Sequence, residues 1–162
     1  PVNPGDVITT GAQSEAIYII GKDAYLQRDR STVSIAGDVL KGGLRVLSGK
    51  LMAVFGKGEK RIEAGTATIG IRGTGCYIEA EETKVYFCLC YGKADITSPR
   101  MPGKVETIQT QHHDNPVTLH ADGSQMMEKA PMLNHTDAEL TLLESLVGRV
   151  PPFHGQPGYS DK

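Results

Sequence analysis

The feature that most constrains this chain is its punctuation. Short runs rich in Val, Ile, Tyr and Thr alternate with glycine-bearing turns at a spacing of roughly 8–12 residues. The stretch "LRVLSGKLMAVFG" carries the pattern most clearly: Leu44, Val46, Leu51 and Phe55 fall on core positions, and Arg45 and Lys50 on solvent positions. Read this way, strands are predicted at 16–20, 24–28, 32–36, 44–48, 51–55, 61–63, 67–71, 76–80, 85–91, 94–97 and 105–109. The expected fold class is all-β, a sandwich or roll of short antiparallel strands. With 162 residues the chain can bury such a core without a disulfide or a metal.

Near Pro99 the texture changes. "SPRMPG" reads as a turn, followed by the polar "QTQHHDNPVTLHADGSQMMEKAPMLNHTD". The expected division is a β domain over 1–98 and a C-terminal extension over 99–162. That extension holds a helix predicted over 137–147. Thr136 and Glu139 form a capping box, Leu140, Leu143 and Val147 make an apolar stripe widened by Leu142 and Leu146, and Gly148 suits the C-terminal cap. The tail from Val150 reads as extended or loose.

Charge and motifs exclude several classes. A net charge of -2 with no basic block argues against nucleic acid or an anionic membrane as partner. No apolar run is long enough to span a bilayer. "GKGEK" lacks phosphate-loop spacing, and "GIRGTG" opens a strand where a dinucleotide loop opens a helix. Arg72 within it reads either as a buried anchor or as an exposed charge. No nucleophile elbow is present. A Cys-His hydrolase fits poorly, because the cysteines lie mid-strand beside Glu79 and Glu81.

The chemistry of interest is in "GCYIEAEETKVYFCLCYG", a predicted hairpin. With its turn centred on Glu82, Cys76 faces Cys88, and Cys90 shares their side of the sheet. Three cysteines cannot all pair within one chain. Three readings stay open: apolar thiols filling a core, a cross-strand disulfide with one thiol left over, and a metal or haem site. For the last, Cys76, Cys88 and Cys90 supply soft donors, and His112 or His113 completes the set. These two histidines are adjacent, so an extended chain points them oppositely and one joins a given site. Asp114 is the expected carboxylate that orients a ligating histidine. Met126 and Met127 add sulfur nearby in sequence. His120 precedes the "ADG" turn and reads either as a ligand or as a surface residue, and His135, just before the helix cap, reads as a surface or capping residue. Copper, iron, zinc and haem are the candidate cofactors.

The segments "GDVITTGAQSEAIYIIGKDAYLQRDRSTVSI", "LRVLSGKLMAVFG" and "TATIGIRGTGCYIE" resemble the FecR-domain family over 5–97. The resemblance implies a periplasmic all-β domain that acts as the sensory part of an envelope signalling protein. The expected partner is another envelope protein or a second copy of the chain. The signal peptide of an exported protein is not among these residues. The family implies no catalytic residues. The Cys-x-Cys strand, the "HHD" segment and the C-terminal helix are additions to its pattern. In an oxidising compartment free thiols are short-lived unless buried, paired or bound to a metal.

Overall fold

The computed structural model describes residues 1–36, 43–120 and 127–156. Met126, the "ADG" turn and the end of the tail lie outside them. The elements are β1 (Val7–Thr9), β2 (Ala16–Ile20), β3 (Asp23–Gln27), β4 (Thr32–Ile35), β5 (Gly43–Val54), β6 (Glu59–Ala64), β7 (Ala67–Ala80), β8 (Lys84–Thr97), β9 (Val105–Thr110), β10 (Val117–His120), β11 (Glu128–Lys129) and α1 (Asp137–Leu146). The fold is all-β with one C-terminal helix, as the spacing predicts. Among the described residues no helix is long and apolar enough to cross a membrane.

Three long strands organise the sheet. The 44–48 and 51–55 runs fuse into β5, 67–71 and 76–80 into β7, and 85–91 and 94–97 into β8. The glycines between them are kinks inside strands. Gly49 takes φ +88° where the backbone of Ser31 comes so close that a Cβ would sit 2.5 Å from its Cα. Gly92 takes φ +101°, and the β7–β8 ladder slips on either side of Gly75. Each long strand therefore pairs differently along its length. The first part of β5 lies between β4 and β6, and the second between β3 and β7. The β5–β6 pairing is parallel and the others are antiparallel among the described strands. Beyond residue 98 the sheet continues, with β9 and β10 both hydrogen-bonded to β8.

Where β5, β7 and β8 run side by side, both of their faces are buried. One face carries Leu51, Ala53, Cys76, Ile78, Phe87 and Leu89 into the main core. The other carries Met52, Val54, Tyr77, Tyr86, Cys88 and Cys90 beneath α1. The capping box forms as read, with Thr136 Oγ1 accepting from the Glu139 N–H and Glu139 accepting from the Thr136 N–H. Leu140 and Leu143 are fully buried, while Leu142 and Leu146 are exposed. The expected wide stripe is thus narrow. Glu144 takes the inward position instead, held by the Tyr91 hydroxyl and by Arg149 Nε at 2.6 Å. The tail is not loose as far as Gln156: Phe153 is buried, its ring edge-on to Tyr91 at 5.8 Å.

Candidate metal centre

The expected hairpin forms, but its register is one residue away from the prediction. Cys76 faces Leu89, and Cys88 faces Tyr77. Ala80 pairs with Val85 and the Glu81 N–H bonds to the Lys84 carbonyl, which leaves Glu82 and Thr83 at the tip. An even-length tip replaces the odd one centred on Glu82. Because side chains alternate with period two, that single step sends Cys76 to the opposite face from Cys88 and Cys90. Cys76 is therefore not part of the cluster. It is a buried thiol among Ile78, Phe87 and Leu89, its pKa pushed far up by burial. All three cysteines are free.

Cys88 and Cys90 project from β8 towards α1, both 0% exposed. One edge of β8 is shared between two partners. β10 pairs with it over 84–87 and β9 over 92–97. Opposite the cysteines that ladder is interrupted, and the "QHHD" loop closes the gap. The His113 N–H donates to the Cys90 carbonyl at 2.9 Å. His113 itself is left-handed, with φ 52°, a conformation His tolerates better than most residues. Asp114 does not orient a histidine, contrary to expectation. Its Oδ2 accepts the N–H groups of Gln111 at 2.8 Å and His112 at 3.4 Å, so it braces the loop from within.

The orienting carboxylate is Asp137, at the start of α1. Its Oδ1 accepts from His113 Nε2 and its Oδ2 from His112 Nε2, each at 2.8 Å. Here the adjacent histidines part: His113 turns its Nδ1 to within 3.3 Å of Cys88 Sγ, and His112 packs against Phe153 with ring centroids 4.4 Å apart. His120 stands apart, bonded to Glu128 at 2.8 Å.

The fourth member is His135, read from the sequence as a surface residue. It is 6% exposed and stacked on Tyr77, with ring centroids 4.6 Å apart. Its Nδ1 donates to the Leu133 carbonyl, and its Nε2 lies 3.2 Å from His113 Nδ1. The residue before a helix N-cap is where an apolar side chain ordinarily packs against the fourth helical residue, which here is the buried Leu140. A histidine in that staple position is a cue that points inward. Tyr86 holds the segment in place, donating its hydroxyl to the Pro131 carbonyl at 2.8 Å and accepting the Leu133 N–H at 3.0 Å.

One donor atom from each of Cys88, Cys90, His113 and His135 lies within 4.8 Å of every other. Donor accounting gives the cluster its chemistry. A carbonyl only accepts, so the His135 proton is on Nδ1 and Nε2 presents a lone pair. Asp137 fixes the His113 proton on Nε2, so Nδ1 presents a lone pair as well. Two lone pairs 3.2 Å apart repel unless a proton or a cation lies between them. The thiols respond to the same crowding. The Cys90 hydrogen bond first, and after it hydrogen bonds from the histidines in their protonated form, outweigh burial and lower the Cys88 thiol to about 4. Burial and the Cys88 charge push Cys90 upward. For His113, burial opposes the charge, but Cys88 and Asp137 together raise it. The cluster brings two cysteine sulfurs and two imidazole nitrogens to one point, a ready set of soft and borderline ligands.

No protein-family model matches the chain, and no curated protein matches it. Among solved structures, two crystal structures of a "putative anti-sigma factor" from Parabacteroides distasonis, at 1.65 and 2.50 Å resolution, share its fold. The TM-scores are 0.66 and 0.65, each at 10% sequence identity over 84% of this chain. The chain spans 65% and 64% of their length.

Proposed function

We propose that this is a FecR-like, periplasmic sensing module whose sensory element is a single metal ion held by Cys88, Cys90, His113 and His135. The observation that carries the reading is the convergence of four N and S donors with both histidine tautomers fixed outward, by Asp137 and by the Leu133 carbonyl. Tetrahedral zinc with two thiolates and two imidazoles has ligand–ligand edges of about 3.3–3.8 Å. Two of the six edges here are 3.3 and 3.2 Å, and every donor pair lies within 4.8 Å. A carboxylate behind a ligating histidine is the usual way such a ligand is oriented. A bound ion would replace the lone-pair repulsion with four bonds and supply a charge that the thiolate neutralises. Haem fits less well, because its iron takes protein ligands only from the two faces of a wide ring, whereas these donors surround one point. Four protein ligands with no open position make the site structural or sensory in character rather than catalytic.

The signalling role rests on the FecR-like sequence segments and on the fold shared with the anti-sigma-factor structures. Its partner would be an envelope protein. The test is elemental analysis and zinc calorimetry on protein purified without chelator. We expect one ion per chain in the wild type and in Cys76→Ser, and none in Cys88→Ser or His135→Ala. Equal metal content in all four proteins would overturn the assignment, and a metal-free wild type that binds no added zinc would leave a cofactor-free interaction module.

A further inference from the structure

We propose, building on that metal reading, that the ion is a latch: it holds residues 131–149 against the sheet, and its release lets that segment lift. The donors come from parts of the chain anchored in different ways. Cys88 and Cys90 are fixed in a strand paired with β7. His113 is tied to the same strand by its backbone N–H. His135 has no such tie. Among the described residues, no backbone–backbone hydrogen bond joins 131–156 to the sheet, the last being from the Ala130 N–H to the Pro116 carbonyl.

What holds the segment is side chains. Arg28 reaches the Asn134 carbonyl and Glu139, each at 2.8 Å, Tyr86 holds the backbone at 131 and 133, and Asn134 Nδ2 bonds to Glu79 at 2.8 Å. At the far end Glu144 accepts from the Tyr91 hydroxyl, and Arg149 donates to the Lys22 carbonyl at 2.6 Å. The helix has 10 residues, too few to persist alone in water. Of its side chains only Leu140, Leu143 and Glu144 are buried.

The ion would bind His135 directly and Asp137 through His113, gripping the segment on both sides of the N-cap. Without it, among the described residues only side-chain contacts hold the segment to the sheet. Lifting uncovers Met52, Val54, Tyr77 and Tyr86, an apolar sheet face. The β ladders are untouched by the movement, so the change is confined to one layer. Ion occupancy thereby becomes exposure of a surface, which is the output a sensing module needs.

Hydrogen exchange followed by mass spectrometry tests this on the full chain, in zinc at a hundredfold excess over its Kd and in chelator. Amides of 131–149 should exchange about 10–100-fold faster in chelator, while those of β7 and β8 keep their protection. Zinc binding at one ion per chain with no change at 131–149 would overturn the latch and leave the metal centre standing. Absence of zinc binding in calorimetry would remove both. His135→Ala removes one of the four donors and with it the grip. It should show fast exchange at 131–149 with or without zinc, with the β7 and β8 amides reporting that the sheet is folded. Zinc-restored protection in that variant would also overturn the latch.

Discussion

Cys76 and Cys88 lie on adjacent paired strands, both 0% exposed, yet on opposite faces of the sheet. Around Cys76 are Ile78, Phe87 and Leu89, with nothing to stabilise a charge, and burial keeps it a neutral thiol. Around Cys88 are Cys90, His113 and His135, which hold it as a thiolate. Depth is the same on both sides. What differs is whether polar atoms arrive from elsewhere in the chain. A buried cysteine in a β-sheet is filler or ligand according to the face it is dealt, and one residue of register decides the face.

The sharpest way to break this contrast is to remove one sulfur at a time. Cys88→Ser should weaken zinc binding by more than about 100-fold, beyond the 10–100-fold expected for losing a supporting group. Cys76→Ser should leave affinity unchanged in the same calorimetry but lower stability by about 1–3 kcal/mol, since it buries a hydroxyl among apolar side chains. If the two variants exchange these phenotypes, the register is wrong.

A second measurement sharpens the ligand side. Asp137→Asn keeps the shape of the carboxylate but removes its charge. It should cost about 10–100-fold in zinc affinity with the one-to-one stoichiometry intact. Thermal unfolding follows from the same linkage. At a hundredfold excess of zinc over Kd the stabilisation is about 2.7 kcal/mol. For a chain of this size that raises Tm by roughly 5–10 °C, an increment absent in Cys88→Ser and present in Cys76→Ser.

The last measurement concerns pH in the metal-free protein. The Cys88 thiol is lowered in the folded chain to about 4, from an ordinary value near 9. Its contribution is therefore complete above that ordinary value and is lost as pH falls towards about 4. His113 is shifted the other way, so its contribution is present below the ordinary histidine range and is lost as pH rises through its raised value. Denaturant midpoints in chelator should decline on the acid side in wild type and Cys76→Ser. Cys88→Ser should decline less over that interval.

Much of the fold was legible because it rests on local periodicity. Alternation in "LRVLSGKLMAVFG" places Leu44, Val46, Leu51 and Phe55 in the core, where all four are buried. Thr136 and Glu139 announced the helix start because capping is a contact between residues three apart. The misreadings have a common cause. Gly49 and Gly92 separate predicted strands in the sequence, but a positive φ also fits a kink within a continuing strand. Nothing in "EETK" fixes the parity of the hairpin tip, since no Asn-Gly or similar pair dictates a two-residue turn. Arg72, left open between anchor and surface charge, is exposed. The site was half legible. Cys88, Cys90 and His113 were among the named candidates, whereas His135 and Asp137 depend on where α1 docks, a contact no local pattern encodes. Asp114 was chosen for its nearness in sequence, and Asp137, 24 residues from His113, does the work instead.

The tie between His113 and the Cys90 carbonyl, in the gap between β9 and β10, also bears on timing. A chain emerging in order would present Cys88 and Cys90 first, on a hairpin of local contacts that forms early. His113 follows 25 residues after Cys88, and His135, just ahead of the helix, arrives only after every described strand. If the cluster takes an ion as proposed, one that met the nascent chain would find two sulfurs and no stable cage, and premature capture would be weak and reversible. Loading would then be the closing step of assembly, its rate set by how fast the last segment folds down onto a finished sheet.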